Sequence, residues 1–476
     1  MLPRLVWFLT YPTRVTTFYQ NEEAFSDYCG RAAALASMLP GPLDALSSDL
    51  DFVGMQVILR HGARTTACDL SCVHPIRSPS NLSSCHLKPM GGVDWSEGSA
   101  AIPKQYHNTY GTEPALESTC VKGQLLDEAV DQFRALADKL TQSYLSKLPQ
   151  KEELRSKVQL FSVDVERMMA SLILLQHFLF GASSAGLVVE TQPADIDPWH
   201  MSATCPRGQQ AKARKSAVAM ENARRHPDFL AKWRSLAGAE FTHDTWDCLE
   251  VALCTNQSFL QLPPQLQPDS DLFHEALKIS AAMVQASYLQ DVFEYTLLAA
   301  PALLEMRDYA EKQALGKVPP LSLRVVGDTM IVPLLLGLQA WDGAWPHYAE
   351  ALVLEVYRSK EPVRKTKVRL LRRGEAVLAC QEDGHRGLCA IEDLLPQNIV
   401  QLQDPVRYAH QCELDAKEPV VLKAGEPVMQ VLSSGGVALL IALAFLAGHC
   451  HGRRSSDLVL AIRIPLLSST CSADMR

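Results

Sequence analysis

The sequence predicts an α/β fold, in which a mostly parallel sheet is covered by helices and carries a mainly helical inserted cap. Three observations support this prediction. Strand-like and helix-like runs alternate in the first half of the chain, the region after residue 195 contains long helix-like segments, and a strand-like run returns after residue 320. Such alternation is typical of parallel sheets, because each connection between parallel strands needs a covering crossover.

The first part of the predicted core spans residues 50–194, and residues 1–49 form an N-terminal segment of uncertain role. The core segments alternate between strand-like runs, which are apolar and short, and helix-like runs, whose apolar residues recur every three or four positions. In order along the chain they are 54–59, 126–147, 157–161, 166–180 and 187–192.

The cap is predicted at residues 195–316. Two long amphipathic segments, 207–237 and 271–313, are separated by a proline-containing loop at 261–265, and they predict helices. After Pro319 and Pro320 the strand-like run 321–326 returns to the sheet. The second part of the core is therefore predicted at residues 317–415.

A short motif, Arg60-His61-Gly62-Ala63-Arg64, follows the first predicted strand. It places an imidazole between two guanidinium groups, and such groups bind phosphate oxygens in pairs. A histidine held there can accept a phosphoryl group covalently. The alternative is a structural histidine at a strand end, because a motif of this length also occurs by chance.

Further segments resemble motifs of the histidine acid phosphatases and occur in the order found in that family. They are 122–125 (KGQL), 162–167 (SVDVER), 327–335 (GDTMIVPLL), 345–349 (WPHYA) and 354–357 (LEVY). Three segments resemble the lysophosphatidic acid phosphatase branch in particular, namely 93–95 (VDW), 341–346 (WDGAWP) and 387–389 (GLC). The resemblance covers residues 50 to 415 and implies a histidine-phosphatase-like fold, with an α/β core and a helical cap.

The resemblance also implies a mechanism. His61 would be the nucleophile, Asp328 the proton donor, and Arg60 and Arg64 the phosphate ligands. The substrate would be a small phosphate monoester or a lysophospholipid. No metal or cofactor is required, because arginines neutralise the charge that magnesium neutralises in nucleotide-dependent phosphoryl transfer.

Two departures from the family pattern leave a second function open. The chain has Gly327 where the family has a phosphate-binding histidine, and Phe161 where it has an arginine. Each lost donor typically costs about a hundred- to a thousand-fold in turnover. The sequence therefore predicts an impaired or specialised phosphatase, or else a catalytically inactive relative that binds a partner. Arg167 lies in a helix-like segment and is predicted to be a solvated or salt-bridged residue outside the site.

The charge of the chain excludes one class of partner. A net charge of −8 and a pI near 6.0 argue against nucleic-acid binding. The densest basic run, 364–373, alternates with apolar residues and is predicted to form the solvent face of a strand. The sequence does not specify an oligomeric state.

Cysteines and sequons favour the secretory pathway. The chain has 13 cysteines and sequons at Asn81 and Asn256, and these fit an oxidising compartment. Cys380 and Cys389 flank a turn-rich loop and predict a local disulfide, and the cluster of Cys68, Cys72 and Cys85 could supply another.

The C-terminal region predicts a membrane anchor. Residues 429–450 contain an uncharged apolar run, which is just long enough to cross a bilayer. Arg453 and Arg454 begin the tail 451–476 and favour a cytoplasmic end, so the catalytic domain is predicted in the lumen of the secretory pathway or lysosome, or outside the cell. A buried helix is the alternative for 429–450. A mitochondrial location is the alternative for the protein, because no acidic residue precedes Glu22.

Overall fold

A mixed sheet forms the centre of the fold. The computed structural model describes residues 50–65, 123–148, 153–181, 188–193, 196–201, 205–242, 264–266, 270–360, 365–378 and 387–413, with isolated positions between 29 and 43 and between 245 and 254. Its strands are β1 (Leu50–Arg60), β2 (Gln159–Ser162), β3 (Val189–Glu190), β4 (Leu321–Val326), β5 (Ala351–Ser359), β6 (Thr366–Arg372), β7 (Glu375–Ala376) and β8 (Leu388–Ala390).

The sheet has a parallel half and an antiparallel half. The strand order is β3-β2-β4-β1-β5-β6-β7, and β8 also pairs with β6. The pairs β3-β2, β2-β4 and β4-β1 are parallel, whereas the pairs from β1-β5 onward are antiparallel. Strands β1 to β4 are separated by helical crossovers, and β5 to β8 follow one another over short connections. The predicted α/β fold is confirmed.

Helices flank this sheet. They are α1 (Glu128–Ser143), α2 (Leu154–Lys157), α3 (Glu166–Phe180), α4 (Pro206–Ala223), α5 (Pro227–Ala237), α6 (Asp271–Leu289), α7 (Val292–Ala314), α8 (Asp328–Gly337), α9 (Gln397–Val400) and α10 (Pro405–Cys412). Helix α3 packs against β2 and β4, and α7 packs against β1, β5 and α4. The long helix α7 therefore joins the predicted cap region to the core sheet.

Each of the two long segments predicted in the cap consists of two helices. The first breaks before Pro227, which occupies the first turn of α5, where a missing backbone N–H is tolerated. The second breaks at Gln290 and Asp291, between α6 and α7. Helices thus account for most of the described residues between 205 and 316.

The basic strand β6 corrects one prediction. Arg369 and Arg372 are buried rather than solvent-facing. Arg369 donates to both carboxylate oxygens of Glu355, its cross-strand neighbour, at 2.5 and 2.7 Å. Arg372 donates to Glu350 at 2.7 Å. A buried carboxylate opposite each arginine allows the charge to leave water, and the alternation within β6 did not reveal these partners.

Within the described residues, two disulfides connect distant parts of the chain. They join Cys29 to Cys254 and Cys205 to Cys412. Cys389 is also disulfide-bonded, but Cys380 and the cluster of Cys68, Cys72 and Cys85 lie outside the described residues. Both sequons and the candidate span 429–450 with its tail lie outside them as well. Among the helices that the structure describes, none is both long enough and apolar enough to cross a bilayer.

Candidate active site

The ends of two neighbouring parallel strands bring the predicted site residues together. In the β1-β4 pair, Arg60 lies opposite Val326, so the chain leaves both strands at the same edge. His61 and Arg64 follow β1, and Asp328 is the first residue of α8 after β4. Carboxyl ends of parallel strands are the usual location for ligands in α/β sheets.

Arg60 and Asp328 are in direct contact. Arg60 Nη2 lies 2.5 Å from Asp328 Oδ2, and the Arg60 side chain is completely buried. Its other terminal nitrogen donates to Pro346 O at 2.6 Å, and its guanidinium lies 4.5 Å from the centre of the Tyr348 ring. The loop before β5 therefore holds this arginine in one orientation.

The hydrogen bonding of His61 leaves one ring nitrogen available for attack. His61 Nδ1 lies 2.9 Å from Gly62 O. A carbonyl oxygen only accepts, so Nδ1 donates its proton and Nε2 of the neutral ring carries the lone pair. Burial, followed by the positive charges of Arg167, Arg60 and Arg64, lowers the pKa of His61 well below its ordinary value. The ring therefore stays neutral in mildly acidic solution.

Gly62 allows the motif to pack closely against α1. A Cβ atom at this position would lie 2.6 Å from Ala129 Cβ and 2.9 Å from Phe133 Cε2. Gly62 N donates to Ser171 Oγ at 3.1 Å, and Ala63 N donates to Gln132 Oε1 at 2.8 Å. These contacts fix the backbone of Gly62 and Ala63, the two residues that follow His61 in the motif.

Asp328 is ionised in the free site. Burial by itself raises the pKa of Asp328, but Arg60, with smaller effects from His61, Arg64 and Arg167, outweighs it and holds the pKa well below the usual range. Thr329 N also donates to Asp328 Oδ1 at 2.8 Å. A phosphate that engages Arg60 would weaken this stabilisation, because its negative charge offsets the guanidinium.

Arg64 contacts a carboxylate that sequence reasoning missed. Arg64 Nη2 lies 2.7 Å from Asp247 Oδ1, and the two side chains are 7% and 12% exposed. Arg64 Nη1 donates to Thr65 O at 2.9 Å. No motif includes Asp247, and it lies far from the core motifs along the chain, so no sequence pattern indicates its position.

Arg167 was predicted to be a solvated or salt-bridged residue outside the site, and its burial rules out the solvated alternative. It lies in the first turn of α3 and is only 4% exposed. Among the charged groups that lower the pKa of His61, it is the strongest, and it also lowers the pKa of Asp328. Its place at the end of the second motif, 162–167, was the signal that could have identified it.

The two positions that depart from the family pattern are filled by other packing. A Cβ atom on Gly327 would lie 3.0 Å from both Met168 Cε and Thr329 Oγ1. The Phe161 ring lies 4.0 Å from the Arg324 guanidinium, which also contacts the Trp199 ring at 4.1 Å. Met168 and Thr329 therefore lie where the family histidine would begin. At position 161 an aromatic ring stacked on Arg324 replaces the family arginine.

The site brings together three kinds of polar group. His61 supplies a neutral ring nitrogen, Asp328 a carboxylate, and Arg60, Arg64 and Arg167 positive charges that act on both of them. No group of three or more potential metal-ligating side chains occurs within the part of the chain that the structure describes.

Comparison with curated proteins finds lysophosphatidic acid phosphatases. The chain is 23% identical to lysophosphatidic acid phosphatase type 6 of Mus musculus over 398 residues, which cover 78% of this chain and 90% of the relative. It is 24% identical to the Homo sapiens protein of the same name over 409 residues, with coverage of 81% and 92%. No family model matches the chain.

Solved structures with a similar chain trace are phosphatases of inositol phosphates. A multiple inositol polyphosphate phosphatase of Bifidobacterium longum gives a TM-score of 0.46 at 11% identity and covers 76% of this chain and 96% of that chain. A phytase of Klebsiella sp. ASR1 gives 0.46 at 15% identity, with coverage of 78% and 97%. A likeness at this level carries no argument about function. The curated relatives confirm the predicted resemblance to the lysophosphatidic acid phosphatase branch, and with it the resemblance to the histidine phosphatases that the motifs predict.

Proposed function

We propose that this protein is a phosphomonoester hydrolase that works through a phosphohistidine at His61. The observation that carries the proposal is the buried group of His61, Arg60 and Asp328. His61 is neutral, its Nε2 carries the lone pair, and the proposed proton donor is in contact with the adjacent arginine. Similarity to curated phosphatases supports hydrolysis of phosphate monoesters.

In the first step, His61 Nε2 attacks phosphorus and the ester P–O bond breaks. Arg60 and Arg64 neutralise the phosphoryl oxygens, and Asp328 protonates the departing alkoxide. Because Asp328 is ionised in the free site, its proton has to arrive with a monoanionic substrate or from solvent once phosphate engages Arg60. Acidic solution supplies both sources.

In the second step, water attacks the phosphohistidine and the P–N bond breaks. The Asp328 carboxylate accepts a proton from that water, and His61 is released as the neutral ring. The low pKa of His61 suits this cycle, because a protonated ring could not attack again. Arg167, whose charge acts on His61 and Asp328, also supplies positive charge during both steps.

The proposed activity is reduced or specialised. Removal of one preorganised donor typically costs roughly a hundred- to a thousand-fold in turnover, and two family donors are absent at Phe161 and Gly327. Effects within one catalytic unit are not additive. Arg167, which the second motif retains, keeps its buried positive charge close to the proposed nucleophile.

We propose small phosphate esters or lysophospholipids as substrates and the secretory pathway as the location. The curated relatives are named for lysophosphatidic acid. Disulfides at Cys29–Cys254 and Cys205–Cys412 fit an oxidising compartment. The predicted anchor at 429–450 would keep the protein at a membrane.

The second candidate is a catalytically inactive relative that binds a phosphorylated partner. The apolar packing at Gly327 and Phe161 favours it, because both positions have lost a family phosphate ligand. Such an inactive relative would still bind anions at Arg60 and Arg64 but would not hydrolyse them.

Turnover of an aryl phosphate by the full chain across an acidic pH range distinguishes the two candidates. His61→Ala is the matched variant, because it removes the nucleophile and leaves the arginines in place. We expect turnover by the parent protein and an acid-labile phosphoprotein on rapid quenching, with both absent from His61→Ala. Equal rates for the two proteins would refute the phosphatase proposal and leave the binding function.

A further inference from the structure

The contact between Arg64 and Asp247 gives the site a second carboxylate beside a phosphate-binding arginine. We propose that Asp247 competes with phosphate for Arg64 and thereby sets how tightly the site holds the substrate and product. The inference rests on the proposed function in one respect, because it takes Arg64 to be a phosphate ligand. It concerns the affinity of the site and does not require turnover.

The position of Arg64 means that phosphate and its present partners use the same guanidinium nitrogens. Ala63 O accepts from Leu126 N, and Thr65 N donates to Gln124 O, each at 2.9 Å, so the backbone on both sides of Arg64 is fixed. Nη1 of Arg64 donates to Thr65 O, and Nη2 contacts Asp247. Bidentate binding of phosphate uses at least one terminal nitrogen of the guanidinium. The phosphate must therefore share that nitrogen or displace its present partner.

A disulfide joins a residue near Asp247 in sequence to the same part of the core. Cys254, a few residues further along the chain, is bonded to Cys29. Cys29 O accepts from Gln132 Nε2 at 2.9 Å, and Gln132 Oε1 accepts from Ala63 N at 2.8 Å. One glutamine of α1 thus connects this disulfide to the residue before Arg64. The contact of Asp247 with Arg64 is itself largely shielded from solvent, because the two side chains are 12% and 7% exposed.

The net charge of the site explains how the Asp247 carboxylate would limit phosphate binding. Asp328 pairs with Arg60 and Asp247 with Arg64, and the charge of Arg167 also acts on His61. These three arginines and two carboxylates together carry a charge of +1 while His61 is neutral. Protonation of Asp328 for catalysis brings it to +2, which balances a phosphate dianion. Without Asp247, the same site would exceed that charge and retain inorganic phosphate more tightly. The carboxylate also repels an approaching phosphate oxygen and can rebind Arg64 when the product leaves.

The test is the affinity of the full chain for inorganic phosphate, measured by isothermal titration calorimetry. Asp247→Asn preserves the shape of the side chain and removes its charge. We expect its dissociation constant for phosphate to be lower by roughly ten- to a hundred-fold, which is the effect of one charge-assisted hydrogen bond. Phosphate should inhibit any turnover more strongly by the same factor.

Asp291→Asn is the matched control. Asp291 is also an aspartate beyond the first core motifs, its side chain is 9% exposed, and it lies 2.9 Å from Arg214. Its arginine belongs to α4 and not to the phosphate motif. The substitution removes the same charge, and we expect the dissociation constant for phosphate to remain that of the parent protein.

Several outcomes would overturn the inference. If Asp247→Asn binds phosphate more weakly than the parent or equally well, Asp247 orients Arg64 or is irrelevant to binding. Absence of binding in both proteins also counts against it, because removal of a competitor should expose affinity. If circular dichroism shows that Asp247→Asn is unfolded, Asp247→Ser must give the tighter binding. Tighter binding without turnover in any variant would support the inference and refute the proposed phosphatase function alone.

Discussion

Substitution of Gly62 by alanine tests whether the motif packs against α1 as tightly as described. The added Cβ would lie 2.6 Å from Ala129 Cβ and 2.9 Å from Phe133 Cε2. Carbon atoms in favourable contact are about 3.5–4.0 Å apart, so the overlap is roughly 1 Å. Ala129 cannot rotate its methyl group away, and the backbone of the motif or of α1 has to move.

The expected cost follows from this overlap. Overpacking of a closely packed site costs about 1–3 kcal/mol, and the rigid neighbour places Gly62→Ala in the upper half, at about 2–3 kcal/mol. Movement of the motif also displaces His61 relative to Arg60. A displacement of about 1 Å can reduce turnover on the order of a hundred-fold.

Urea unfolding and turnover of an aryl phosphate measure the two effects. Gly327→Ala is the matched control, because its Cβ would meet the flexible end of Met168 at 3.0 Å, and we expect it to lose less than about 1 kcal/mol. The packing argument is refuted if Gly62→Ala unfolds at the same urea concentration as the parent. Loss of stability with unchanged turnover would refute only the link between this packing and the placement of His61.

Two further predictions concern the cations of the site. Arg167→Met should raise the pKa of His61 towards its ordinary value, because it removes the strongest of the charges that lower that pKa. A raised pKa increases the protonated fraction of His61 in acid, so the acidic limb of the pH–rate profile should move to higher pH. Arg167→Lys keeps the positive charge and should restore the parent profile. Identical profiles for Arg167→Met and the parent would exclude Arg167 from the site. Gly327→His should raise turnover only when Met168→Ala makes room for the ring. The end of Met168 can shift for a single methyl group, but an imidazole ring is larger and Met168 is completely buried. Steady-state kinetics of both single variants and the double variant check this. An equal gain without the second change would mean that Met168 does not obstruct the position.

The structure agrees with the predictions made from local sequence patterns. It differs from them where the burial of a charged side chain had to be predicted. Arg167, Arg369 and Arg372 have the sequence features of solvated charges, yet all three are buried. Arg369, for example, pairs with Glu355 across two strands. A periodic pattern places charges on one face of an element, but it does not reveal whether an opposing carboxylate makes that face part of the interior.

The sequence by itself determined the α/β class and the nucleophile motif. Apolar runs with strand and helix periods predicted the crossovers, and Arg60, His61 and Asp328 each follow a predicted strand. Parallel pairing of β1 with β4 then joins them at one edge. The α/β class and the motif could be predicted because periodicity and short motifs are local properties of the chain, whereas the pairing of β1 with β4 is not local.

Only the tertiary structure decided the electrostatic partners of that motif. The pair of Arg64 with Asp247, the buried charge of Arg167 and the disulfide between Cys29 and Cys254 all depend on residues that are distant in the chain. The energy of a charge depends on its burial and on its neighbours within a few ångströms. Both quantities arise when distant segments pack together, and no spacing of residues along the chain specifies them.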